Sequence, residues 1–288
     1  MSDDFPKEGA IPINGIELHY RDWGGQGRPV VLLHGLASHS GIWDLVAPLL
    51  ATQSRVVALD LRGHGGSGKP DHGYDFDTVA DDVKKFWEAH GLEQPLLAGH
   101  SWGGNVALHC AVTYPGQVSG LVMVDGGFIE LSSRPDWTWE RASVELAPPQ
   151  FGQVTLEEVT ERIRNGNLAP YMSPEIERII ASNFYVTDQG FARPNLSREN
   201  HMKIVRALWD HKPSTLYPHV QCPALVLPAR SPSTNNPMEK MRADMVDQAQ
   251  ALLPKGRVIW LEDTIHDVPL QRPRDLAAIM LDFAQELL

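Results

Sequence analysis

Four short runs of uninterrupted apolar residues punctuate the first half of the chain: VVLL at 30–33, VVAL at 56–59, LLA at 96–98 and LVMV at 121–124. A strand with one wet face alternates apolar and polar residues. An unbroken run needs cover on both faces, as in a parallel sheet sandwiched by helices. Helical patterns lie between the runs. Residues 76–90 place Val79, Val83, Phe86 and Trp87 on one stripe before Gly91, a natural stop, and 106–114 end at Pro115-Gly116. Ahead of them, 11–13 and 16–20 flank Asn14-Gly15, a strong signal for a two-residue hairpin. This alternation predicts right-handed crossovers and a mostly parallel sheet.

The pattern lapses from about 128 to 218, where prolines, tryptophans and amphipathic helical stretches (156–165, 174–184) replace buried strands. Strand logic resumes at 224–227 and 258–261. A closing helix over 275–288 carries Leu276, Ile279, Met280, Phe283 and Leu287 on one stripe. The reading is an α/β core in two parts, 1–129 and 219–288, interrupted by a helical insertion at 130–218. At roughly ninety residues, that insertion far exceeds an ordinary connection.

A chain of 288 residues suffices for such a core. Its formal charge of −11 argues against nucleic acid, which needs a basic face. The two cysteines, Cys110 and Cys222, build neither a disulfide framework nor a metal-ligand spacing. The acidic, polar N-terminus is unlike a signal or transit sequence, and no apolar run reaches membrane-spanning length. A reducing cytoplasm is therefore the expected compartment. Monomer and homodimer both remain open.

Chemistry concentrates at Gly99-His100-Ser101-Trp102-Gly103, a G-x-S-x-G pentapeptide between a buried strand and a helix. On so sharp a turn the positions two before and two after the serine must be small. The turn exposes the hydroxyl and aims a helix N-terminus at developing negative charge. The strand at 30–33 runs into His34-Gly35, a loop able to face that serine. The Leu36 and Trp102 amides would then form a two-donor oxyanion hole, with His34 orienting the loop. The glycine-rich 60–70 (DLRGHGGSGKP) lacks a P-loop lysine–serine pair in register, so it reads as a structural loop rather than a nucleotide site.

These motifs, with a late histidine, stand in the order found in α/β-hydrolases, and the chain resembles the subgroup with a helical cap. The resemblance implies an eight-stranded, mostly parallel sheet, a lid over the pocket, a Ser–His–acid triad and no cofactor. Ser101 is the implied nucleophile. His266, in TIHDVP after the last strand and before the closing helix, is the implied base, although the family usually has glycine where Ile265 stands. The usual acid follows the strand at 224–227, but 228–236 hold no carboxylate. Some members carry the acid one strand earlier, which selects Asp125 over its sequence-adjacent rivals Glu262, Asp263 and Asp267.

GHSWGG also resembles the GHDWGG of epoxide hydrolases and haloalkane dehalogenases, with serine in place of the nucleophilic aspartate. Serine beside an oxyanion hole suits acyl carbonyls, which favours a small to medium hydrophobic carboxylic ester as substrate. A carbon–carbon hydrolase, a lactonase or a perhydrolase would use the same triad. A ligand-binding member without turnover is the alternative of another class. Pocket walls are expected from His34, Trp102, Phe128, Trp137 and Trp139.

Overall fold

The computed structural model describes residues 6–231 and 237–287. The chain opens with a hairpin of β1 (Lys7–Ile13) and β2 (Ile16–Gly24). Its turn residues Asn14 and Gly15 take φ of 49° and 78°, the left-handed pair that a tight hairpin requires. Then follow β3 (Pro29–Leu33), α1 (Ala47–Leu50), β4 (Arg55–Leu59), α2 (Phe76–Ala89), β5 (Leu96–His100), α3 (Trp102–Thr113) and β6 (Gly120–Val124). Among the described residues the main sheet has eight strands. After the hairpin they run in the order β1-β2-β4-β3-β5-β6 and continue into two later strands. Strand β2 is antiparallel to both neighbours, and the remaining pairs are parallel.

The unbroken apolar runs have a simple cause. Along β3, Val31 and Leu33 join one buried cluster with Val79, Val83 and Phe86 of α2 and Val106 of α3. Val30 and Leu32 point the other way, into a cluster with Ala47 and Leu50 of α1. Each side chain of the strand therefore has a helix to cover it. Helix α2 starts at Asp75, whose carboxylate accepts the Thr78 amide, and it stops before Gly91 at φ 68°.

Beyond β6 the insertion holds α4 (Trp139–Glu145), α5 (Leu156–Arg164), α6 (Pro174–Ala181), β7 (Phe184–Val186), β8 (Ala192–Pro194), α7 (Arg198–Asp210) and α8 (Pro213–Leu216). Alongside its helices the insertion holds the short β7–β8 hairpin, which adds no buried strand run. Its strands are three residues each, and Tyr185 and Val186 of β7 are 53% and 52% exposed, so no buried run announces them.

The sheet is completed by β9 (Ala224–Leu227), which adjoins β6, and after β10 (Ala229–Arg230) and α9 (Pro237–Leu252) by β11 (Gly256–Val258). The strand expected over 258–261 is divided. Its start belongs to β11, while β12 (Leu261–Glu262) pairs separately with β10. The chain ends with α10 (Val268–Gln271) and α11 (Pro273–Glu286), whose Leu276, Met280 and Phe283 cover the α1 face of the sheet. No helix among the described residues is long and apolar enough to cross a membrane.

Candidate active site

Ser101 caps the N-terminus of α3 with φ 54° and ψ −124°, a region that costs a non-glycine residue about 1–3 kcal/mol. The surrounding glycines are what permit it. A Cβ on Gly99 would lie 2.0 Å from the Gly103 carbonyl oxygen, and one on Gly103 2.5 Å from those of Leu33 and His34. A Cβ on Gly126 would lie 2.0 Å from the carbonyl oxygen of Ser101 itself. The serine amide donates to Val124 O at 2.9 Å, tying the turn to the end of β6.

Asp125 leaves β6 at φ 43° and is fully buried. The Val124–Leu227 register puts it beside the end of β9, where its amide donates to Leu227 O (2.9 Å) and its Oδ1 accepts from the Ala229 amide (2.9 Å). Its Oδ2 accepts two bonds of 2.5 Å, from His266 Nδ1 and from Arg242 Nη2 on α9. Burial opposes ionisation. The bond and charge of His266, the charge of Arg242 and the Ala229 amide outweigh it and hold the carboxyl below its usual range.

His266 sits in the loop between β12 and α10. With Nδ1 facing a carboxylate, that nitrogen carries the proton, which leaves Nε2 to accept from Ser101 Oγ at 3.0 Å. The ring borders a cavity, and solvent reaches 49% of its side chain. Burial lowers its proton affinity, but Asp125 reverses this, so its pKa lies above the ordinary value. His100, the second residue of the pentapeptide, fixes this loop by donating from Nε2 to His266 O (2.8 Å). Burial pushes His100 down to about 3, so it performs that task uncharged. Gln271 also holds the loop, accepting from the Ile265 amide (2.7 Å) and donating to Asp263 O (3.2 Å) and Tyr171 Oη (2.9 Å).

The loop after β3 approaches closely because Gly35 has no side chain: a Cβ there would meet Ser101 Cβ at 3.0 Å. Leu36 and Trp102 border the same cavity as Ser101. As the first residue of α3, Trp102 has an amide with no acceptor inside the helix. Under the loop, His64 accepts from the Ala37 amide (3.3 Å) and stacks on the Trp102 ring. Asp60 accepts from Ser40, Gly66 and His19 at 2.6–2.8 Å. The glycine-rich 60–70 segment thus props the loop from below.

The cavity has a volume of about 590 Å³ between the sheet edge, the insertion and α9. Phe128, Leu131, Leu146, Val205, Leu208 and Met245 give it an apolar wall, alongside Ser101 and His266. Ser101, Leu36 and His266 also border a second, smaller cavity of about 270 Å³. Three expected wall residues are elsewhere. His34 is buried below the loop, donating to Gly35 O (2.7 Å) and accepting from the Leu61 amide (3.0 Å), and burial lowers it to about 4. Trp137 lies under the Arg134 guanidinium at 4.2 Å, and Trp139 packs on Trp209 and Arg206. Both tryptophans serve the packing of the insertion. Among the described residues no cluster of His, Cys, Asp or Glu is arranged to hold a metal ion.

Comparison with known proteins agrees with this architecture. Residues 28–162 match the family model described as alpha/beta hydrolase fold. The crystal structure of E-2-(acetamidomethylene)succinate hydrolase superposes with a TM-score of 0.78 at 23% identity, covering 97% of this chain and 99% of that one. The chain has the alpha/beta hydrolase fold. Among curated relatives it is similar to a soluble epoxide hydrolase of Corynebacterium sp. (strain C12), 42% identical over 125 residues, which is 43% of each protein. It is also similar to a serine hydrolase-like protein of Danio rerio, 34% identical over 185 residues, 60% of this chain and 56% of the relative. The matched stretch therefore spans about half the length of these curated relatives.

Proposed function

We propose that this alpha/beta hydrolase cleaves carboxylic esters through an acyl-enzyme on Ser101. The observation that carries the reading is the unbroken relay from Ser101 Oγ to His266 Nε2 (3.0 Å) and from His266 Nδ1 to Asp125 Oδ2 (2.5 Å) at the edge of an apolar cavity. His266 takes the Ser101 proton as Oγ attacks the carbonyl carbon, and the Leu36 and Trp102 amides receive the oxyanion. The imidazolium then protonates the leaving alkoxide. A water activated by the same ring attacks the acyl-enzyme and releases the acid. Asp125 stays ionised throughout and holds the ring in the required tautomer. The insertion acts as the lid that closes the apolar chamber over the ester.

The curated relatives include an epoxide hydrolase, but the nucleophile differs in kind. A serine alkoxide with two amides aimed at an oxyanion suits a planar carbonyl, whereas epoxide opening by alkylation suits a carboxylate nucleophile. The test is labelling by a fluorophosphonate probe together with hydrolysis of phenyl esters. Wild type labels at Ser101 and releases phenol, and Ser101→Ala does neither while keeping its circular dichroism spectrum. Turnover by Ser101→Ala at the wild-type rate removes the assignment.

A further inference from the structure

Arg134 stands in the wall of the same cavity, on the chain between β6 and α4. Its guanidinium rests 4.2 Å from the centre of the Trp137 ring, which fixes its plane. Its Nε is buried and has no hydrogen-bond partner among the described residues. A charged guanidinium that borders an apolar chamber and has one buried donor unpaired is costly unless something completes it.

The neighbouring carboxylates are engaged elsewhere or placed on other elements. Glu145 accepts from Arg141 Nε at 2.6 Å. Asp125 is shared between His266 and Arg242. Glu239 belongs to α9, and with it on the wall the chamber has no overall cationic field. Any anion preference is therefore local to one guanidinium. Burial and the like charge of Arg242 both weaken the proton affinity of Arg134, and Glu145 opposes them, consistent with a desolvated cation that its surroundings do not fully balance.

We infer that Arg134 is a carboxylate anchor, and that the substrate is an ester carrying a second, free carboxylate held in the same apolar chamber as Ser101. Its substrate class rests on the ester-hydrolase reading above; the anchor itself does not. The apolar wall of Phe128, Leu131 and Leu146 covers the hydrocarbon between the two ends, and the guanidinium fork takes the carboxylate in the bidentate manner it favours.

Two experiments separate the anchor from the chemistry. In the first, kcat/KM is measured for the phenyl hemi-esters of adipic and suberic acids against phenyl hexanoate and octanoate. 4-Carboxyphenyl hexanoate is added to place the charge on the leaving group. The wild type prefers at least one charged ester over its neutral partner. Arg134→Gln lowers that charged-over-neutral ratio about ten- to a hundredfold, chiefly through KM, as expected for losing a charge-assisted bond. Arg134→Lys, which keeps the charge but not the fork, recovers part of the ratio. In the second, adipate binding to the Ser101→Ala protein is followed by calorimetry, with the Ser101→Ala/Arg134→Gln double variant as comparison. Adipate binding that depends on Arg134 upholds the anchor even if no ester is turned over, in which case only the hydrolase reading falls. A wild type that prefers the neutral ester at every position, or adipate binding unchanged by Arg134→Gln, overturns the anchor.

Discussion

Arg242 opposes protonation of the proposed base, and replacing it with methionine tests that in a measurable direction. Arg242 Nη2 and His266 Nδ1 donate to the same oxygen of Asp125 at 2.5 Å each, so these nitrogens are at most about 5 Å apart. Two unit charges at that distance repel by about 3 kcal/mol at an effective dielectric of 20. Solvent reaches 49% of the His266 side chain and 23% of that of Arg242, and screening brings the coupling down to about 1–1.5 kcal/mol, or about one pH unit. The guanidinium therefore disfavours the imidazolium, opposing the upward pull of Asp125. In Arg242→Met that opposition is gone, and Asp125 gives His266 a larger share of its charge, which acts in the same direction. Only the neutral ring can accept the Ser101 proton. The acid limb of kcat/KM should accordingly move about one unit to higher pH, with rates below it falling about tenfold. The assay is phenyl hexanoate hydrolysis at constant ionic strength across the range in which histidine titrates. Arg242→Lys retains a charge near Asp125 and should leave the limb closer to wild type. An acid limb that stays in place in Arg242→Met, or moves to lower pH, refutes the coupling.

Two further predictions concern the frame that holds the site. Gly126→Ala would set a methyl 2.0 Å from the Ser101 carbonyl oxygen. The turn must shift to admit it, so the midpoint of thermal unfolding should fall by the equivalent of about 1–3 kcal/mol, with fluorophosphonate labelling reduced; full labelling in a protein of unchanged stability would contradict the crowding argument. Arg62 and Asp82 form a buried pair with bonds of 2.7 and 2.9 Å, side chains 3% and 1% exposed. Asp82→Asn leaves the guanidinium without its counter-charge and should cost about 3–5 kcal/mol, read as a lower urea midpoint. A loss below the error of the fit would mean that solvent or another group takes over the pairing.

Legibility in the sequence followed burial. The strands of the core could be read because both faces are covered, so Val30–Leu33 and their counterparts had to be apolar throughout. The β7–β8 hairpin could not, since Tyr185 and Val186 face solvent and obey no such constraint. The tryptophans of the insertion show the limit of residue type as a guide. An aromatic side chain near a pocket in sequence is as useful for packing a thin helical layer, and Trp137 and Trp139 are engaged by Arg134, Arg206 and Trp209. Arg242 carried no signal at all. It meets Asp125 across 117 residues of sequence, from a helix whose local pattern does not distinguish it from any surface arginine.

The position of Asp125 is explained by the register of the sheet. Val124 of β6 pairs with Leu227 of β9, so residues 125 and 228 leave adjacent parallel strands at the same level. Neighbouring strands lie about 4.8 Å apart, less than the reach of one carboxylate and one imidazole together. An acid starting from either strand end can thus address the same histidine, and His266 meets the one on β6 at 2.5 Å. Moving it changes what the other strand end must do. With no carboxylate to present, the chain after β9 instead supplies a donor, the Ala229 amide, to Oδ1 of Asp125, and α9 supplies a second, Arg242, to Oδ2. A fully buried carboxylate with three donors and one of its oxygens shared between a cation and the proposed base is held more firmly than by His266 alone. The cost is a weaker pull on the imidazole. That compromise is why the pH profile of the Arg242 variant, rather than its maximum rate, is the sensitive measure of how this site is built.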